Sequence, residues 1–160
     1  MLGLIYCQRR EFDKAVAEGE RGVELNPNGA DALAFLGYFL TVTGRPEEAN
    51  SLLKKAIRLN PMPPAIWYAW LGISHRLMDQ YDKAIINFKK GLRVQPDHPV
   101  CLIQLTAAYS QTGRQEDARK TAAEFIRLNP KFRVDHFVKI YKVPAVAERL
   151  ADALRKAGLK

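Results

Sequence analysis

The chain has 160 residues, 48% of them apolar, and a formal net charge of +8, which is the size and balance of one soluble domain. Its longest apolar run, Ala65 to Gly72 in AIWYAWLG, falls far short of the roughly 20 residues a membrane-spanning helix needs, so no membrane insertion is expected. Cys7 and Cys101 lie far apart without a CxxC spacing, a usage that fits reduced thiols in a cytoplasmic protein better than a disulfide or a metal knuckle.

Taken in order, the opening MLGLIYCQRR already reads as a helix, Leu2 to about Arg9, with no basic leader or cleavage site. A second helix is predicted from Asp13 to Leu25. It carries Gly19 and Gly22, each costing about 1 kcal/mol relative to Ala in a helix interior, so this end should be the loosest. Asn26-Pro27-Asn28-Gly29 forms a turn. Residues 30–61 then give two amphipathic helices about Gly44-Arg45-Pro46. Leu33, Leu36, Gly37 and Leu40, then Ala49, Leu53, Ala56 and Leu59, recur at the three- and four-residue steps that gather side chains on one helix face. Pro46 suits a first helical position and Pro61 stops the second helix. After the stiff Pro61-Met62-Pro63-Pro64 link comes a helix from Ala65 to Met78, apolar all round, which implies burial or an awaited partner.

The pattern repeats. Leu36-Gly37 returns 35 residues on as Leu71-Gly72, Ala49 as Ala84 and Pro61 as Pro96, while Pro27 lies 34 residues before Pro61. Leu105, Tyr109, Gly113, Ala118 and Pro130 follow Leu71, His75, Asp79, Ala84 and Pro96 by 34. One such hairpin cannot cover its own apolar face, so copies must stack in a row.

With this grammar the chain resembles the tetratricopeptide repeat family, whose helix–turn–helix unit carries W-x2-L-G-x2-Y, then A-x3-F, then P. Residues 30–61 carry it as Leu33, Leu36, Gly37, Leu40, Ala49, Leu53 and Pro61; residues 65–96 as Tyr68, Leu71, Gly72, His75, Ala84, Phe88 and Pro96. Residues 99–130 follow with Leu102, Leu105, Thr106, Tyr109, Ala118, Ala122 and Pro130, and the first repeat keeps Leu2, Gly3, Tyr6, Ala15 and Pro27. The resemblance implies an all-α, right-handed superhelix over 1–130, divided as a partial repeat 1–29 and repeats 30–64, 65–98 and 99–130. Since Met1 falls inside a repeat helix, the chain reads as a piece of a longer protein.

Past Pro130 the grammar stops. Phe132, Val134, Phe137, Val138 and Tyr141 suit a short helix, and Pro144 opens another through Ala157, with Val146, Leu150 and Leu154 as its stripe and Gly158 as its C-cap. Residues 131–160 are therefore read as C-terminal capping helices that cover the last open face. This tail also resembles the end of bacterial repeat arrays fused behind a class III nucleotidyl cyclase or a winged-helix DNA-binding domain. That likeness implies a regulatory or oligomerisation module of a larger bacterial regulator.

No catalytic constellation is visible, and neither an enzyme nor a cofactor site is expected. His75, His98 and His136 share no metal-ligand spacing, and no glycine-rich phosphate loop is present. Glu47-Glu48 and Glu116-Asp117 sit where acids complement a helix dipole.

What remains is surface. In the family the first helix of each repeat lines a concave groove, which places Ala34, Phe35 and Tyr38, then Ile66, Ala69, Trp70, Ile73 and Arg76, then Ile103, Gln104, Ala107 and Gln111 on its wall. Family members that clamp a terminal carboxylate use Lys, Asn and Arg there. Ala34, Ala69, Ile103, Tyr38, Ile73 and Ala107 stand in those slots, so an apolar or amphipathic peptide of another protein is the expected partner, with Phe35, Tyr38 and Trp70 as anchors. The competing occupants are the protein's own missing N-terminal part or another copy of itself. On the convex side Lys54, Lys55 and Arg58 return 35 residues later as Lys89, Lys90 and Arg93. Such a strip could contact an anion or a nucleic acid, but Glu20, Glu24 and Glu124 interrupt it and favour a solvated face.

Overall fold

A computed structural model describes residues 2–160; Met1, first residue of the expected array, lies outside them. Four helical hairpins follow one another: α1 Leu2–Gln8 with α2 Phe12–Leu25, α3 Ala30–Val42 with α4 Pro46–Leu59, α5 Ala65–Leu77 with α6 Tyr81–Val94, and α7 Pro99–Gln111 with α8 Gln115–Leu128. The short α9 Val134–Phe137, a 3-10 turn Val138–Ile140 and α10 Pro144–Lys156 complete the chain, and no strand occurs among the described residues.

Each hairpin turns on the same device. Arg10, Gly44, Asp79 and Gly113 have left-handed φ values of 60°, 84°, 57° and 77°. The next residue reaches back five positions: Glu11 N–H donates to Tyr6 O, Arg45 to Leu40, Gln80 to His75 and Arg114 to Tyr109, all at 2.8–2.9 Å. This is the bond of a Schellman helix end, which ties off carbonyls that the helix leaves unpaired. Glycine adopts the conformation freely, whereas Arg10 and Asp79 carry side chains into it. Pro46 and Pro99 occupy the first turns of α4 and α7, and the His98 ring caps α7 by accepting from Cys101 N–H at 3.3 Å.

Small residues set how closely the helices approach. A Cβ at Gly37 would lie 2.7 Å from Leu53 Cγ, and one at Gly72 would lie 2.4 Å from Phe88 Cε1. Ala49, Leu53, Ala56, Ala84 and Phe88 are fully buried at these contacts. The glycines of the first hairpin have a packing role too. The Phe39 ring fills the notch left by Gly3 and Gly19, where added Cβ atoms would meet it at 2.6 and 2.9 Å.

The tail departs from the expected cap in its path. Phe132 packs edge-on against Phe125 of α8, centroids 4.7 Å apart, and Val134 is fully buried, so the last hairpin is covered. From there the chain does not stop at that face. The helix predicted around residues 132–141 is only one turn of α9 and the 3-10 turn. Tyr141 and Val143 are extended, as a residue before Pro144 must be. This stretch crosses the inner side back to the first and second hairpins. Lys142 N–H donates to Val42 O at 2.8 Å, Arg10 donates to Lys139 O, and Val143 covers Gly44. α10 then returns over α7, and the excursion closes where Val134 N–H donates to Lys160 O at 2.8 Å.

Candidate functional site

The inner wall is built by α3, α5 and α7, the first helices of successive hairpins. It brings the three expected anchors together: Tyr38 stacks on Trp70 with centroids 4.8 Å apart, and Phe35 meets Trp70 at 5.7 Å. Phe35, Tyr38, Ile66 and Gln111 are partly exposed. Ala34, Ala69, Ile73, Ile103, Gln104 and Ala107 are buried, as are Trp70 and Arg76. The C-terminal segment reaches this wall from within the chain, with α10 packed on α7 and the Tyr141 hydroxyl accepting from Gln104. This contact is not among the occupants expected from the sequence, which were a peptide of another protein, the missing N-terminal part or another copy. The Tyr38 hydroxyl is held protonated chiefly by burial, with Cys7 and Tyr141 nearby adding to the effect.

A polar network runs through this apolar contact. Arg76 Nε donates to Gln104 Oε1 at 3.1 Å and its Nη1 to Gln111 Oε1 at 3.3 Å, while Gln104 Nε2 donates to the Tyr141 hydroxyl at 3.2 Å. Arg76 and Gln104 thereby stand between two repeats and the tail. The role of Tyr141 was invisible beforehand, because nothing in the residues after Pro130 reports which face they revisit. At the rim, Arg149 donates to Asp79 at 2.6 Å and to the Tyr81 hydroxyl at 2.9 Å, and Lys142 pairs with Asp13. The Arg149 hydrogen bond holds the Asp79 carboxyl below its usual range. These exposed pairs contribute little each and are screened by salt. The buried apolar side of α10, with Leu150 and Leu154 wholly inaccessible, holds the tail down.

On the outer face the basic residues divide. Lys54, Arg58 and Lys90 line a cleft of about 400 Å³ between α4 and α6. Lys89 and Arg93 line a second of about 420 Å³ on the other side of Ile86. Lys55 turns away and donates to Pro27 O at 3.0 Å, and Lys89 lies over the Tyr109 ring.

No group of three or more His, Cys, Asp or Glu among the described residues could hold a metal ion. His75 is a packing residue, 3% exposed, bonded through Nε2 to Asn50 and through Nδ1 to Gln80. Burial pushes its pKa down, and Lys54 and Lys83 lower it further against the opposing Gln80 bond. Burial also raises the Cys7 and Cys101 thiols to about 11 and about 12, so neither is a ready nucleophile. No helix among the described residues is long and apolar enough to cross a membrane.

Comparison with known proteins agrees with this architecture. The sequence model described as Tetratricopeptide repeat matches residues 30–61 and 68–98. The PEX5-related protein of Homo sapiens is 29% identical over 102 residues, 63% of this chain and 16% of that protein. In eight curated relatives the chain spans 4% to 24% of their length. Among solved structures, MamA superposes over 98% of this chain and 92% of its own with a TM-score of 0.69 at 21% identity. PilW, a type IV pilus biogenesis factor, superposes over 97% and 71% with a TM-score of 0.74 at 23% identity. Residues 30–61 and 68–98 are tetratricopeptide repeats, and the chain is an all-α, right-handed solenoid of the tetratricopeptide type, closed by C-terminal capping helices.

Proposed function

We propose that this chain is a protein-interaction scaffold whose inner wall accepts an amphipathic helix preceded by an extended segment. Tetratricopeptide repeats serve generally as protein-binding scaffolds. What supports the finer reading here is the form of the segment already lying on the wall: extended residues at Tyr141 and Val143, then an amphipathic helix whose Leu150 and Leu154 are fully buried. A wall of Ala34, Ala69, Ile73 and Ala107 with an aromatic cluster at one end offers shape and apolar area and little charge. A partner helix therefore competes with the tail for the same surface.

A labelled peptide with the sequence of residues 144–160 tests this directly. It should bind the full chain carrying Leu150→Asp and Leu154→Asp, whose own tail can no longer seat, far better than the unaltered chain. Adding Trp70→Ala should then weaken binding by about tenfold or more, as loss of a buried aromatic anchor does. Affinity should change little with salt. Binding abolished by Lys89→Glu and untouched by Trp70→Ala contradicts the groove assignment.

A second reading, that the chain acts as a regulatory module within a larger protein, is supported by its small share of the length of its relatives. The cyclase or winged-helix context suggested by the tail belongs to this reading. The coding sequence adjoining this one tests it.

A further inference from the structure

The outer cleft between α4 and α6 is rimmed by cations on both banks over an apolar floor. Lys54 and Arg58 stand on one bank and Lys83 and Lys90 on the other, and none has a carboxylate within 4.0 Å among the described residues. On α8, the next outer helix, cations are matched in place: Lys120 pairs with Glu116 and Arg127 with Glu124. On α6 the residue one turn beyond Asp82 is Ile86, an isoleucine left 53% exposed at the rim. The floor comes from α5, with half-buried Tyr68, then Leu71 and the buried His75 ring.

Four like charges around one concavity repel one another, and an anionic ligand relieves that repulsion while gaining from each of them. We propose that this cleft docks an acidic, amphipathic peptide segment of a partner protein. Its carboxylates meet the four cations, and an apolar side chain seats against Tyr68 and Ile86. The apolar floor and exposed Ile86 favour a peptide over a nucleic acid, whose phosphates would want a continuous basic rail. That rail is cut by Glu20 and Glu24 on α2 and by Glu124 on α8. The cleft faces away from the inner wall, so this site stands or falls separately from the groove.

The test uses the full chain and a fluorescein-labelled peptide of alternating Glu and Leu, read by anisotropy. The peptide should bind, and its affinity should fall as salt rises. Lys54→Glu with Lys90→Glu should weaken it by at least about tenfold, and Ile86→Ser should weaken it severalfold. Lys131→Glu with Lys160→Glu, the same change in net charge placed outside the cleft, should leave it unchanged. Absence of binding overturns the proposal, and so does equal loss in the two charge-reversed pairs. A DNA duplex that displaces the peptide and binds more tightly assigns the cleft to nucleic acid instead. A dimer in sedimentation that Lys54→Glu with Lys90→Glu dissolves assigns it to a second copy.

Discussion

Glycine has opposite consequences at two helical positions of this chain, and the difference lies in what surrounds the missing Cβ. At Gly72 an added Cβ would meet Phe88 at 2.4, 2.6 and 2.9 Å, and that ring is fully buried with nowhere to move. Overpacking of about 1 to 3 kcal/mol should outweigh the roughly 1 kcal/mol that alanine gains in a helix, so Gly72→Ala should lower the urea midpoint. At Gly22 the nearest atom is the Ala32 Cβ at 3.8 Å, an ordinary contact. Gly22→Ala should therefore raise stability by about 0.5 to 1 kcal/mol, and the same sign for both variants would contradict this packing. His75 supplies a second residue-scale test. Burial holds its folded pKa below the ordinary 6.5, so the unfolded chain binds the proton more readily. The stability this contributes is complete above pH 6.5 and is lost as the pH falls through the folded value. Denaturation midpoints should decline as the pH falls below about 6.5, less steeply in His75→Gln, which keeps partners for Asn50 and Gln80. An unchanged slope in that variant removes His75 as the cause.

The elements of the array were legible because each hairpin repeats one set of physical demands at a fixed spacing. Leu36-Gly37 and Leu71-Gly72 announce close helix contacts, and Pro46 marks a helix start that the structure places within a residue of the prediction. The left-handed turn residue was only half legible. Gly44 and Gly113 declare it, but Arg10 and Asp79 occupy the same position without glycine. Both of those side chains reach the tail, Arg10 at Lys139 O and Asp79 at Arg149, so the departure from glycine coincides with a contact the repeat pattern does not encode. In the first helix pair the propensity cost of Gly19 was legible and its packing role was not: it makes room for Phe39 from the next hairpin. The tail was legible as helical from Pro144, Leu150, Leu154 and Gly158, and its route was not. Periodicity reports which face of a helix is apolar and says nothing about which distant surface receives it.

At the scale of the whole molecule, that route changes how stability should be shared. In an open solenoid each repeat touches only its neighbours, and a disturbance fades along the row. Here the tail starts behind α8, touches Arg10 and Asp13 of the first hairpin and Val42 of the second, and returns over α7. The two ends of the row are thus joined by one segment held down by α10. Leu154→Ala empties a fully buried site on that helix and should cost about 2 to 5 kcal/mol. Hydrogen exchange distinguishes the two arrangements in this variant. If the tail bridges the row, amides of α1 and α2 should speed up more than those of α4, although α4 lies nearer to α7 in the stack. The Lys142 amide, which donates to Val42 O at 2.8 Å, should lose its protection together with them. A response that declines steadily from α7 through α5 and α3 to α1 is what an open row gives, and it would show that the tail covers the wall without coupling its ends.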